Sequence, residues 1–304
     1  MPGDPVAPET GRQQSAPLWV ETPEGRVAWH EAGEGEAAPL VLLHGFTGHR
    51  DDFIGVLPAL AKVRRSFAPD LRGHGDSDSR AGTLGWSFDQ LVNDLSAYLE
   101  ALSLDRVHLL GHSVGGFVAL RLALAQPERV RSLVLVCSAP ETPSLMDPGG
   151  WRAGTGISAE RGMEGLQPLV ERSIRADSFE GLEAWADAER YFSHHRRRYR
   201  AMTAESYRGI GTAFFESDSL VARLPEVAMP ALVLVGERDR EWLPGADLFE
   251  QNLPEVRRLT IPGAEHHPHQ ENRQAFLAAV QDHLARVDGA SAANEIQTHT
   301  RRTR

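Results

Sequence analysis

Four short stretches of this chain carry residue types that can share one piece of chemistry. Gly111-His112-Ser113-Val114-Gly115-Gly116 sets a serine among glycines, between the apolar run Val107–Leu110 and the helical run Val114–Gln126. In that context a Gly-x-Ser-x-Gly pentapeptide folds as a sharp strand-to-helix turn, with the serine exposed above the sheet at a helix N-terminus. A serine hydroxyl is a poor nucleophile until an imidazole takes its proton, and a carboxylate must hold that imidazole in the right tautomer. Both partners are available further along. Val235-Gly236-Glu237-Arg238-Asp239 offers the carboxylate, and Pro262-Gly263-Ala264-Glu265-His266-His267-Pro268-His269 offers the base. The fourth stretch, Leu43-His44-Gly45-Phe46-Thr47-Gly48, ends another apolar run. There a backbone N–H can join that of the residue after the serine to hold an oxyanion, so Phe46 and Val114 are the expected donors.

Each assignment has a rival. The pentapeptide can be a glycine-rich turn with an incidental serine. Glu237 competes with Asp239, which is preferred because it follows its strand by a few residues. His267 competes with His266, while His269, beyond a proline, reads as structural. A metal reading of His266, His267 and His269 is disfavoured: adjacent histidines point apart, and neither a second cysteine nor a His-Glu-x-x-His pair accompanies them. No metal and no cofactor is expected. Asp70-Leu71-Arg72-Gly73-His74-Gly75-Asp76-Ser77 reads as a loop whose charged groups pair with each other.

These residues need a scaffold, and the apolar pattern supplies one. Leu18–Glu21 and Arg26–His30 read as an antiparallel hairpin. Leu40–His44, Ser66–Asp70, Val107–Gly111, Val130–Cys137, Ala231–Gly236 and Arg258–Ile261 read as buried parallel strands. Helices are expected at Asp52–Lys62 (capped by Asp51 or Asp52), Phe88–Leu102, Val114–Gln126, Ala246–Leu253 and Gln274–Val287. Such alternation gives a mostly parallel sheet covered on both faces, with ligand sites at the carboxyl ends of the strands. All four stretches follow strands.

Composition narrows the chemistry. The net charge of −10 over 304 residues argues against a nucleic-acid partner. Lys62 is the only lysine, which leaves little room for Schiff-base chemistry or a Gly-Lys-Ser/Thr phosphate loop. The single cysteine, Cys137, reads as a small buried residue and fits a reducing compartment; with no apolar run of membrane length and no secretory pattern near the start, a cytoplasmic protein is expected. The partner is expected to be a small-molecule substrate, not a membrane.

The motifs Leu-His-Gly-Phe, Asp-x-Arg-Gly-His-Gly-x-Ser and Gly-His-Ser-x-Gly-Gly, in this order, resemble those of the α/β-hydrolase family, in its branch of small esterases, lactonases and perhydrolase-like enzymes. Apart from residues 141–224, the resemblance runs from about Leu40 to Val287. It implies the α/β-hydrolase fold, with Ser113, Asp239 and His266 as triad and Phe46 and Val114 as oxyanion donors. It also implies action on a small carboxylic ester or lactone through an acyl-enzyme. His-Gly-Phe-Thr-Gly is similar as well to the menaquinone-pathway synthase that eliminates pyruvate, but that enzyme carries an arginine where this chain has Phe117. Triad-dependent carbon–carbon hydrolysis or elimination is therefore the second reading, and a non-catalytic sensor on the same fold the third.

The organisation expected is an arm at 1–16, a core at 17–140 and 225–287, a helical lid at 141–224 and a polar tail at 288–304. Specificity should lie in the lid, where Trp151, Trp185, Tyr191, Phe192, Tyr207, Phe214 and Phe215 can line an apolar pocket or simply pack the lid down. His44, Trp185 and Phe214 are the candidate substrate contacts. The run His194–Arg200 reads first as a solvated helix face and second as an anion-binding patch.

Overall fold

The computed structural model describes residues 18–177 and 188–302. Trp185 and the expected N-terminal arm lie outside these residues. Eight strands form one sheet, in the order β1 (Leu18–Thr22), β2 (Gly25–Ala32), β4 (Ser66–Pro69), β3 (Leu40–Leu43), β5 (Val107–His112), β6 (Val130–Val136), β7 (Ala231–Gly236) and β8 (Val256–Ile261). The β1–β2 hairpin is antiparallel and β2 pairs antiparallel to β4; every other pairing is parallel. The chain thus steps from β3 to β4 on one side and then to β5 on the other. That reversal makes the β3/β5 boundary the switch point where such sheets bind ligands.

Residue alternation divides the core. Val41, Leu43, Leu109, Leu133, Leu135, Val233 and Val235 face one side, under the helices Phe88–Ala101, Val114–Ala125 and Leu243–Asn252. Leu40, Leu42, Leu110, Val134, Val136, Leu232 and Leu234 face the other, against Leu57–Leu60 and the helix Arg273–Arg302. Because β3, β5, β6 and β7 are covered on both faces, β3 and β7 are apolar throughout rather than alternating, as are Leu109–Leu110 of β5 and Leu133–Val136 of β6.

Two helical stretches differ most from expectation. Asp52–Lys62 is not one helix: a 3-10 turn, Arg50–Phe53, is followed by the short helix Leu57–Leu60. Pro58 cannot donate a backbone N–H and disfavours helical geometry in the residue before it, so the helix restarts around it. The N-cap residue of the turn is His49, and not Asp51 or Asp52: its Nδ1 accepts from the Asp51 amide at 3.0 Å, while the Asp52 carboxylate closes a capping box by accepting from the His49 amide at 3.1 Å. At the other end the last helix continues to Arg302, past Val287. Asp288 therefore belongs to the core and not to a tail: Arg64 and Arg131 meet it at 2.9 Å, and His108 at 3.2 Å.

Among the described residues, the helices Pro148–Asp177, Ala188–Arg200 and Ala204–Phe215 and the 3-10 turn Val221–Glu226 lie between β6 and β7. The first is kinked at Gly162, whose φ of 68° interrupts the helical run. This insertion caps the loops at the strand ends. Tyr207 stacks on Phe46 at 5.0 Å and Tyr191 approaches His267 at 6.2 Å. Among the described residues no helix is long and apolar enough to cross a membrane.

Candidate active site

The serine turn is built by exclusion. Ser113 has φ 52° and ψ −122°, a region L-residues rarely occupy, and it ends β5 and caps the helix Val114–Ala125. Such strain, of order 1–3 kcal/mol, persists only where surrounding contacts over-determine it. They do here. A Cβ on Gly115 would stand 2.4 Å from the carbonyl oxygen of Leu43, and one on Gly111 would stand 2.4 Å from that of Gly115. Ser138 bonds the Ser113 carbonyl at 2.9 Å, and the Ser113 amide bonds that of Val136 at 2.9 Å.

The same close packing brings the His44–Gly48 loop to the serine. A Cβ on Gly45 would stand 3.0 Å from that of Ser113. Val114 is the first helical residue, so its amide has no intrahelical acceptor, and Phe46 lies one residue past Gly45. The two expected oxyanion donors therefore sit on segments in contact.

Of the three late histidines, it is His266 whose Nδ1 meets Asp239 Oδ2, at 3.0 Å. Burial opposes the imidazolium, but Asp239 outweighs it, and the His266 pKa is raised above the ordinary histidine value. His267 is different: burial, then His112 and Arg198, depress its pKa far below that value, so it is neutral. His269 is likewise pushed down by burial, to about 3, and packs on Phe53 and Phe276. Glu237, the rival acid, binds the Gly263 amide at 2.8 Å and so shapes the turn that leads to the base.

Several supports were not visible in the sequence. Trp242 stacks on the His266 ring at 5.2 Å, and its amide bonds the Asp239 carbonyl at 3.1 Å. His112 Nε2 bonds the backbone carbonyl of His266 at 2.7 Å, which ties the His266 loop to the residue beside Ser113. A tryptophan three residues after the acid was the available signal; nothing in the pattern marked His112.

Two candidate substrate contacts are buried and engaged within the fold. His44 is fully buried, its Nε2 accepting from the Leu71 amide at 3.0 Å and its Nδ1 donating to the Gly45 carbonyl at 2.9 Å. Burial, then His74, hold it neutral. With both nitrogens engaged it braces the His44–Gly48 loop. Phe214 is buried against Phe117 and Trp242, at 5.1 and 6.1 Å, and joins insertion to core. The charged groups of the Asp70–Ser77 loop pair mainly with partners outside it, and not with each other: Arg72 grips Asp94 through two nitrogens, and Arg50 bonds Asp70 and Asp76, while inside the loop Asp70 accepts from the Asp76 amide and from Ser77 Oγ.

The basic run of the insertion is largely neutralised by the core. His194 bonds Asp52, Arg197 meets Asp51 at 2.8 Å, and Arg198 lies 3.6 Å from Asp52. Among the described residues, one group offers three donors within 4.8 Å of each other: Cys137, Asp239 and His266. Burial, then Asp239, push the Cys137 thiol well above its ordinary range, and the carboxylate already serves the imidazole. A neutral thiol is a poor metal ligand. A small cavity beside Tyr98, lined by Arg26, Asp70, Arg72 and Asp94, touches none of Ser113, Asp239 and His266.

Residues 38–273 match the family model of the alpha/beta hydrolase fold. The chain is 30% identical over 260 residues to a pimeloyl-[acyl-carrier protein] methyl ester esterase of Nitrosomonas europaea, covering 82% of this chain and 96% of the relative. It is 29% identical over 270 residues to a Bacillus subtilis protein named as a 2-succinyl-6-hydroxy-2,4-cyclohexadiene-1-carboxylate synthase, covering 86% and 96%. Among solved structures, the enol-lactonase of Burkholderia xenovorans LB400 superposes with a TM-score of 0.77 at 23% identity, covering 88% of this chain and all of that one, a likeness of fold. The sheet order, the strained serine turn and these matches agree: the chain belongs to the alpha/beta hydrolase fold family.

Proposed function

We propose that the chain is a serine hydrolase of a small carboxylic ester or lactone, working through an acyl-enzyme. The observation that carries this reading is the His266–Asp239 pair, tied through His112 to the strained turn at Ser113. Ser113 Oγ attacks the carbonyl carbon and its proton passes to Nε2 of His266, while Nδ1–H stays bonded to Asp239. The Phe46 and Val114 amides receive the oxyanion, where loss of one donor typically costs about 3–4 kcal/mol of transition-state stabilisation. As the intermediate collapses, His266 returns the proton to the leaving alkoxide. Water, deprotonated by the same imidazole, then releases the acid. The esterase relative supports the choice of bond.

The test is hydrolysis of a short p-nitrophenyl ester and of a small lactone by wild type and Ser113→Ala. The wild type is expected to turn over one or both, and the variant neither. Retained turnover in the variant overturns the reading.

One observation favours a second reading, elimination from a carboxylate-bearing substrate. Arg198, on the helix Ala188–Arg200 of the insertion, is 5% exposed, and its Nε has no hydrogen-bond partner among the described residues. It would take the anion-binding part that Phe117, buried against Phe88 and Phe214, cannot. Turnover of a succinyl-cyclohexadiene acid without ester hydrolysis, lost in Arg198→Met, would favour it.

A further inference from the structure

The base loop is gripped by a second carboxylate. Glu271 closes the short helix Pro268–Glu271 that follows His267. Its Oε2 accepts from the amide of Glu265 at 2.5 Å, and its Oε1 from the amide of His267 at 3.3 Å. These are the two residues flanking His266. In return, the amides of Gln270 and Glu271 bond the His267 carbonyl at 2.8 and 2.9 Å. With the His266 carbonyl held by His112 and its Nδ1 by Asp239, consecutive peptide units around the base are fixed from both sides.

We infer that Glu271 is a positioning residue: its carboxylate, holding the amides on either side of His266, keeps the base in line between Asp239 and Ser113. The inference rests on the serine-hydrolase reading. A carboxylate suits this place because both oxygens accept, and two converging N–H donors need two acceptors. A glutamine has one acceptor, and its NH₂ would face an amide N–H.

The ionisation of Glu271 gives the role a signature. Burial pushes its pKa up to about 7, against the pull of the two amides and of His266. The titratable groups around it are Glu265, His266 and His267 on the loop, Tyr191 from the insertion and Cys137 after β6. Above neutrality the ionised carboxylate holds both amides and adds to the negative charge that raises His266. Below it, the proton occupies one acceptor and the grip is halved. His266, whose own pKa is raised, must also be free of its proton to act as base, so base function should be lost to two protons and not one.

The experiment is the second-order rate of Ser113 labelling by a fluorophosphonate, from pH 5 to 9, in wild type and Glu271→Gln, with near-ultraviolet circular dichroism to follow folding. The wild type should show an acid limb steeper than one proton. The variant should label about 10-fold more slowly at pH 8, with a one-proton limb displaced to lower pH. A folded variant with the wild-type rate and profile overturns the inference and leaves the hydrolase reading intact. If the variant fails to fold, the wild-type limb decides: a single-proton limb overturns the inference. No labelling of wild type at any pH overturns the hydrolase reading, and the inference with it.

Discussion

The Nε2–H of His112 donates to the backbone carbonyl of His266 at 2.7 Å, so the residue next to the proposed nucleophile holds the residue that must receive its proton. Burial, then His266, keep the His112 imidazole neutral, which leaves one N–H to donate. Removing this bond should displace the base without touching any reacting atom. His112→Ala is expected to lower kcat by about 10- to 100-fold, the scale of a misplacement near 1 Å. A donor-bearing His112→Gln should recover part of it. Ester-hydrolysis kinetics on the pair of variants check this.

Adjacent histidines separate by function in the same loop. His266→Ala should abolish fluorophosphonate labelling, since no other imidazole meets Asp239 among the described residues. His267→Ala should label within about threefold of wild type, because that ring packs on His112 and Tyr191 and does not bond the acid. Labelling rates of the two single variants decide the point.

At Gly115 a single methyl would meet the Leu43 carbonyl at 2.4 Å and that of His44 at 2.6 Å. Both are backbone, so neither can swing aside. Gly115→Ala should destabilise by about 1–3 kcal/mol or more, as overpacking does. It should also push the Val114 amide away from the oxyanion loop, so that kcat falls beyond what the melting temperature explains. Thermal unfolding and kcat together measure this.

Asp52 holds the insertion down. Its carboxylate, 2% exposed, meets His194 and Arg198. Burial alone would raise its pKa, but those partners, His194 first, hold it well below the ordinary carboxylate range. A depressed folded pKa means stability that is present above the unfolded value of roughly 3.9 and lost as pH falls through the folded one. Asp52→Asn leaves Arg198 buried without its counter-charge and should cost about 3–5 kcal/mol. Unfolding free energies of wild type and variant should therefore stay apart by a constant amount from pH 7 down to about pH 4, and begin to approach each other only below it.

How legible these features were depended on what each residue reports. Leu40–Leu43 and Ala231–Gly236 announced themselves because a doubly covered strand is apolar at every position. The serine turn was legible because backbone crowding permits only glycine at 111 and 115. Asp52–Lys62 misled because Phe53, Val56, Leu57 and Leu60 keep helical spacing across a break made by Pro58. His44 misled for another reason: a polar side chain at a strand's carboxyl end reads as facing substrate, yet here it folds back onto Leu71. Glu271 and His112 act on backbone groups of a loop that no periodicity describes. The meaning of His194–Arg200 depended on Asp51 and Asp52, more than a hundred residues earlier in the chain.

The central claim is that Ser113 becomes acylated. Intact-protein mass spectrometry after brief exposure to a slowly deacylating p-nitrophenyl ester, followed by peptide mapping, measures this directly. One acyl group is expected, on the peptide containing Ser113, and none is expected in Ser113→Ala or His266→Ala. Turnover of the same ester with no adduct on Ser113, or an equal adduct in Ser113→Ala, would contradict the account.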